Sequence, residues 1–175
     1  MRRIDFPAVY LLHGMGGSPN GSVAQLETEL RGRAPEEIYV RPLMPHIDST
    51  VAPSVSVSHL RALGVPQAAL AIGISLGGTV AARLQEQERS DLHVICVSSP
   101  THAGVTRLRQ HMALRVALYC SADPVIAGRT QRWPQLAEAY DISWLKGHDI
   151  DPHKSALAHI ISCYIHTGCL NGEIE

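Results

Sequence analysis

Residues 73–77 read Gly73-Ile74-Ser75-Leu76-Gly77, a Gly-x-Ser-x-Gly pattern. An apolar run precedes it, and a stretch of small residues, Gly78-Thr79-Val80-Ala81-Ala82, follows it. A serine on a sharp strand-to-helix turn is lifted clear of the sheet, with its hydroxyl exposed and its backbone strained. Such a serine suits nucleophilic attack. A hydroxyl is a weak nucleophile near neutral pH and needs an adjacent base. The base needs a partner that holds one tautomer, and the oxyanion formed by attack needs fixed donors. The pattern alone carries little weight in a chain with 14 glycines, where an incidental serine in a Gly-rich turn explains it equally well.

Three other segments supply the missing groups. The Gly-rich run His13-Gly14-Met15-Gly16-Gly17-Ser18-Pro19 offers backbone N–H groups with few side chains to block approach. Ser121-Ala122-Asp123-Pro124 offers a carboxylate, and Lys146-Gly147-His148-Asp149 an imidazole. This reading makes Ser75 the nucleophile, His148 the base and Asp123 its orienting acid, with the N–H groups of Leu76 and Met15 as oxyanion donors. Asp91 and Asp141 fall at the starts of apolar runs and read as surface or turn residues. Asp149 sits on the wrong side of His148, Asp151 reads as a helix cap, and His153 as part of a helix's first turn. His13 is expected to brace the Gly-rich loop. The remaining histidines (His46, His59, His93, His102, His111, His159 and His166) share no metal-ligand spacing, so no metal site is expected.

The elements that must position these groups follow from hydrophobic patterning. Six apolar runs, at 8–12, 37–41, 68–74, 92–97, 115–120 and 141–145, are continuous rather than alternating. That pattern predicts strands buried on both faces, hence a parallel sheet. Helices are predicted between them. One over 22–30 opens with a Ser22–Gln25 capping box, one over 78–88 follows the serine, and one over 134–139 starts near Pro134. The last begins at Asp151-Pro152, carries Leu157, Ile160, Ile161, Tyr164 and Ile165 at helical spacing, and closes at Gly168. The segment 51–63 is read as a short crossover helix. The rhythm is that of a doubly wound α/β domain covering 1–175, in which ligands bind at the carboxyl ends of the strands. The Gly-rich loop, Ser75, Asp123 and His148 all follow predicted strands.

Composition narrows the function class. The 175 residues carry 45% hydrophobic and 18% charged residues with a formal net charge of −1. There is no basic cluster interleaved with aromatics, which argues against nucleic acid as a partner. No apolar run reaches the roughly 20 residues of a membrane span. Arg2 and Arg3 precede a short apolar stretch, but His13 and Gly14 end it too early for a signal peptide, and a cytoplasmic location is expected. The four cysteines have no Cys-x-x-Cys spacing; Cys96 and Cys120 read as buried thiols. Oligomeric state is not readable. Met44, Trp133 and Trp144 are candidates for a binding pocket, with core packing the favoured role for each.

Together these ordered motifs resemble the serine α/β-hydrolases, in particular their small esterase- or lipase-like members. The resemblance runs through nearly the whole chain. His13-Gly14-Met15-Gly16-Gly17 is similar to that family's oxyanion loop, Gly73-x-Ser75-x-Gly77-Gly78 to its nucleophile elbow, Asp123 to its acid and Gly147-His148 to its base turn. It implies an acyl-serine mechanism on a small acyl substrate, carboxylesterase-like, with no cofactor. It also implies a minimal three-layer α/β-hydrolase sandwich. The family's first two strands are missing, leaving a mainly parallel sheet of six strands in the order 2-1-3-4-5-6. The stretch 100–112 is too short for the cap domain many members insert there, so an open, lidless site is expected. Alternatives are an acyl thioesterase, for which Arg107, Arg109 and Arg115 could gather against an acyl carrier, and a non-catalytic binding module on the same fold.

Overall fold

The computed structural model describes residues 4–101 and 113–170. In chain order the elements are β1 (Val9–Leu12), α1 (Ser22–Arg31), β2 (Tyr39–Val40), α2 (Pro53–Ala62), β3 (Leu70–Ile74), α3 (Leu76–Gln87), β4 (His93–Val97), β5 (Arg115–Tyr119), α4 (Trp133–Leu136), β6 (Glu138–Asp141) and α5 (Lys154–Thr167). Short 3-10 turns occupy Pro45–Ile47, Ser143–Gly147 and Asp151–His153.

The six strands form one sheet in the expected order, β2-β1-β3-β4-β5-β6, and every pair is parallel. The chain reverses its direction of progress across the sheet at β1, so the β1/β3 boundary is the switch point where doubly wound folds bind ligands. Successive strand residues point to opposite faces and divide the core in two. Val9 and Leu11 of β1 pack with Val23, Leu26 and Leu30 of α1 and with Leu157 and Ile161 of α5. Tyr10 and Leu12 turn the other way, toward Val57 and Leu60 of α2 and Val80 and Leu84 of α3. Both faces of the sheet are therefore covered, which is why its inner strands are continuously apolar. Each fully buried leucine or isoleucine contributes about 1.5–3 kcal/mol relative to exposure.

Several local expectations need correction. The sixth strand is Glu138–Asp141, not 141–145, and the helix expected over 134–139 shrinks to the four residues of α4. β6 lies at the sheet edge, paired only with β5, so it carries Glu138 and Tyr140 instead of an unbroken apolar run. Its pairing of Tyr119 with Asp141 puts Asp141 at the strand's carboxyl end rather than its start. The Ser22–Gln25 capping box does not form. Gly21 is the N-cap residue and its carbonyl accepts from Ala24 and Gln25 N–H. The Gln25 amide instead reaches across to the start of α5 and the turn before it, donating to Asp151 at 3.2 Å and accepting from Lys154 at 2.7 Å.

Asp151 opens the 3-10 turn before α5 and does not cap the helix, and His153 precedes α5, its ring 5.2 Å from that of Trp144. Arg115, named with Arg107 and Arg109 as able to gather against an acyl carrier, is not at the surface. It opens β5, and its buried side chain donates to Gln85 Oε1 and Ala82 O of α3 and to Leu136 O of α4 at 2.8–3.2 Å. Met44 and Trp133 are wholly buried core residues. Residues 102–112, with His102, Arg107, Arg109, His111 and most of the segment read as too short for a lid, lie outside the described residues. Among the described residues, no helix is long and apolar enough to cross a membrane and no cluster of side chains is arranged to hold a metal.

Candidate active site

Ser75 occupies the single residue between β3 and α3. Its backbone takes φ +50° and ψ −122°, a conformation a residue with a Cβ adopts only under tertiary constraint. The constraint is local. The Ser75 N–H donates to Val97 O at the end of the neighbouring β4, at 2.8 Å, and the Ser75 carbonyl accepts from Gly78 N–H at 3.1 Å. The turn closes only because its neighbours are glycines. A Cβ on Gly73 would lie 2.1 Å from Gly78 N, and one on Gly77 would lie 2.5 Å from Leu12 O. Both atoms are backbone and cannot swing aside.

The Gly-rich loop sits over the serine. A Cβ on Gly14 would meet Ser75 Cβ at 3.2 Å and lie 3.9 Å from Ser75 Oγ, so this loop and the hydroxyl face each other directly. Gly16 takes φ +72°, which turns the chain back immediately after Met15. Leu76 is the first residue of α3, where helical geometry leaves N–H groups without an intrahelical acceptor and concentrates positive potential.

Two buried histidines hold the loop from below. Met44 N–H donates to His13 Nε2 at 2.9 Å, so the His13 proton resides on Nδ1, which donates to Gly14 O at 2.8 Å. His46 Nε2–H donates to His13 O at 2.7 Å, its Nδ1 accepts from the Ser56 hydroxyl at 2.9 Å, and its carbonyl accepts from Gly16 N–H at 2.9 Å. Burial lowers the pKa of both imidazoles below their ordinary 6.5, the carbonyl bonds to Gly14 and His13 opposing it only in part. Each ring is thus neutral with a fixed tautomer. The sequence reading assigned His13 to bracing this loop; it did not single out His46. Their separation by 33 positions left no local signal.

Asp123 lies in the loop after β5 and is wholly buried. One carboxylate oxygen accepts Val125 N–H at 2.9 Å, and the other lies 2.5 Å from His148 Nδ1. A carboxylate only accepts, so Nδ1 carries a proton, and in the neutral form of the ring Nε2 is the nitrogen with the lone pair. Asp141 contributes indirectly: its side chain accepts Ser121 N–H at 2.9 Å and steadies the start of the Asp123 loop. His148 ends the 3-10 turn Ser143–Gly147 at φ +61°, and its imidazole remains about one-fifth exposed. Asp149 accepts the Asp151 N–H at 3.0 Å and is not the partner of the imidazole.

Ser75, His148, Met15 and the Gly-rich loop line a common cleft of about 420 Å³, with Ser22 and Asp149 at its polar side. The structure therefore brings the five residues singled out in the sequence to one end of the sheet, Asp123 lying behind His148. A half-buried serine hydroxyl and an imidazole share this cleft, and the first-turn amides of α3 begin at the next residue; these are the parts that acyl transfer uses.

No family model and no curated protein matches the chain. Solved structures do. The ydeN gene product from B. subtilis superposes with a TM-score of 0.70 at 15% identity, over 90% of this chain and 97% of that one. An alpha-beta serine hydrolase homologue from Coxiella burnetii gives 0.63 at 16% identity, over 91% and 85%. MGS-MChE2, an alpha/beta hydrolase enzyme from a lagoon-sediment metagenome of Mar Chica, Morocco, gives 0.66 at 13% identity, over 91% and 90%. The chain has the α/β-hydrolase fold.

Proposed function

We propose that this chain is a serine hydrolase that cleaves a carboxylic ester through an acyl-enzyme. The observation that carries the reading is the strained Ser75 turn opening on a cleft shared with His148, whose Nδ1 is 2.5 Å from the buried Asp123 carboxylate. His148 Nε2 takes the Ser75 proton as Oγ attacks the acyl carbon. The N–H groups of Leu76 and Met15 receive the oxyanion; each donor of this kind is worth roughly 10²–10³ in rate. The intermediate collapses, the ester C–O bond breaks, and His148 returns the proton to the leaving oxygen. Water then attacks the acyl-enzyme by the same route, giving its hydroxyl to the acid and its proton, through His148, to Ser75. Asp123 stabilises the imidazolium at both stages without itself taking the proton. The three-dimensional neighbours, all on the α/β-hydrolase fold, support the reading at the level of reaction class.

The test is turnover of a simple aryl ester by the wild type and by Ser75→Ala. The variant is expected to lose at least about 10³-fold in kcat with an unchanged circular-dichroism spectrum and melting temperature. Equal turnover by the two proteins would exclude the reading.

A further inference from the structure

Ser75 and Met15 line two cavities at once. One is the 420 Å³ cleft that contains His148; the other, of about 250 Å³, lies beyond the serine and contains neither His148 nor Asp123. Ester hydrolysis makes different demands on the two halves of its substrate. The leaving oxygen must receive a proton from the base and so must depart on the His148 side. The acyl substituent has no such requirement and must clear that path. We propose that the smaller cavity is the acyl site, and that it selects short acyl chains ending in a carboxylate, which pairs with Arg129. This rests on the serine-hydrolase reading above and adds the substrate class to it.

The lining sets both properties. Val51, Pro53, Val125 and Ile126 give the cavity aliphatic walls, suited to a methylene chain. At roughly 30 Å³ per water-sized group, it holds about eight heavy atoms. Arg129 alone among the described lining residues is charged, and no acidic residue lines the cavity. The Arg129 backbone is anchored: its N–H donates to Ile126 O at 2.9 Å and its carbonyl accepts both the N–H and the hydroxyl of Thr101. A guanidinium stays charged at any working pH and matches a carboxylate through two parallel N–H···O bonds. The opposite cleft carries Asp149, which disfavours an anionic leaving group. The substrate class is thus the half-ester of a short dicarboxylic acid with an uncharged alcohol; water is the co-substrate and the products are the diacid and the alcohol.

The experiment compares kcat/KM for para-nitrophenyl hydrogen adipate with that for para-nitrophenyl hexanoate, esters of equal acyl length. Wild type is expected to prefer the carboxylated ester by about tenfold, Arg129→Lys to keep part of that preference, and Arg129→Gln to reduce the ratio to about one. Ile126→Trp, which fills the cavity, is expected to depress hexanoate turnover relative to acetate turnover at least about tenfold. Turnover with a ratio unmoved by Arg129→Gln overturns the carboxylate assignment. Hexanoate and acetate turnover falling equally in Ile126→Trp overturns the acyl site. Absence of turnover of every ester, with Ser75 unreactive, removes the hydrolase reading and this proposal with it, a result distinct from the other two.

Discussion

At the scale of single residues, the loop that faces Ser75 depends on two histidines that must stay neutral. Protonating His13 Nε2 would set N–H against the Met44 N–H, and protonating His46 Nδ1 would remove the acceptor for the Ser56 hydroxyl. Burial holds both pKa values below 6.5, while in the unfolded chain each titrates near 6.5. The unfolded state therefore binds more protons as the pH drops. The stability these groups contribute is complete above pH 6.5 and is lost as the pH falls through the lowered folded-state values. Each neutral ring gives a slope of at most about 1.4 kcal/mol per pH unit in that window. Urea midpoints measured between pH 7.5 and 5.5 should decline progressively below 6.5, with a shallower decline in His46→Gln; a flat profile would contradict the account. Ser75 and Asp123 could be singled out in the sequence because each follows a strand, and strand ends are where such folds place chemistry; His148 was singled out behind a strand expected at 141–145, where the structure has the 3-10 turn Ser143–Gly147. His46 was not, because its role exists only through contacts with His13 and Gly16 made in three dimensions.

At the scale of elements, the β3-to-α3 turn works because backbone approaches backbone. Gly73→Ala would drive a Cβ to 2.1 Å from Gly78 N. Overpacking against atoms that cannot rotate away costs about 3 kcal/mol or more and displaces the serine. Gly147, beside His148, has nothing within 4 Å of an added Cβ and a φ that side chains tolerate. Gly147→Ala should therefore leave the melting temperature within a few degrees of wild type, whereas Gly73→Ala should lower it sharply or prevent folding. Paired thermal melts test this, and equal melting temperatures would show that the turn is not sterically fixed. Element reading from sequence succeeded where both faces of a strand are buried and failed at the β6 edge of the sheet. β1, β3, β4 and β5 announce themselves as apolar runs, but β6 is half solvated and its Glu138-Ala139-Tyr140-Asp141 pattern is indistinguishable from a loop. The capping box failed for another reason: Gln25 pairs with Lys154 of α5 and with Asp151 in the turn before it, both distant in sequence.

At the scale of the whole molecule, the parallel order 2-1-3-4-5-6 explains why groups from residues 15, 75, 123 and 148 meet. Because all the strands run parallel, their carboxyl ends lie at one edge of the sheet, and the loops that carry these groups start from that edge. The βα rhythm gave a parallel sheet, and the order itself came from the family resemblance that the motifs carry. The division of the site into two cavities on either side of Ser75 was not legible in the sequence, since it depends on loops whose packing leaves no trace in hydrophobic period. The central claim concerns Ser75 as an activated nucleophile, and its most direct measurement is covalent: reaction of the folded protein with a fluorophosphonate, followed by intact mass and peptide mapping. One adduct per chain, located on Ser75 and formed far more slowly in His148→Ala, is the predicted result. A folded protein that takes no label, or takes it on another residue, would contradict the claim.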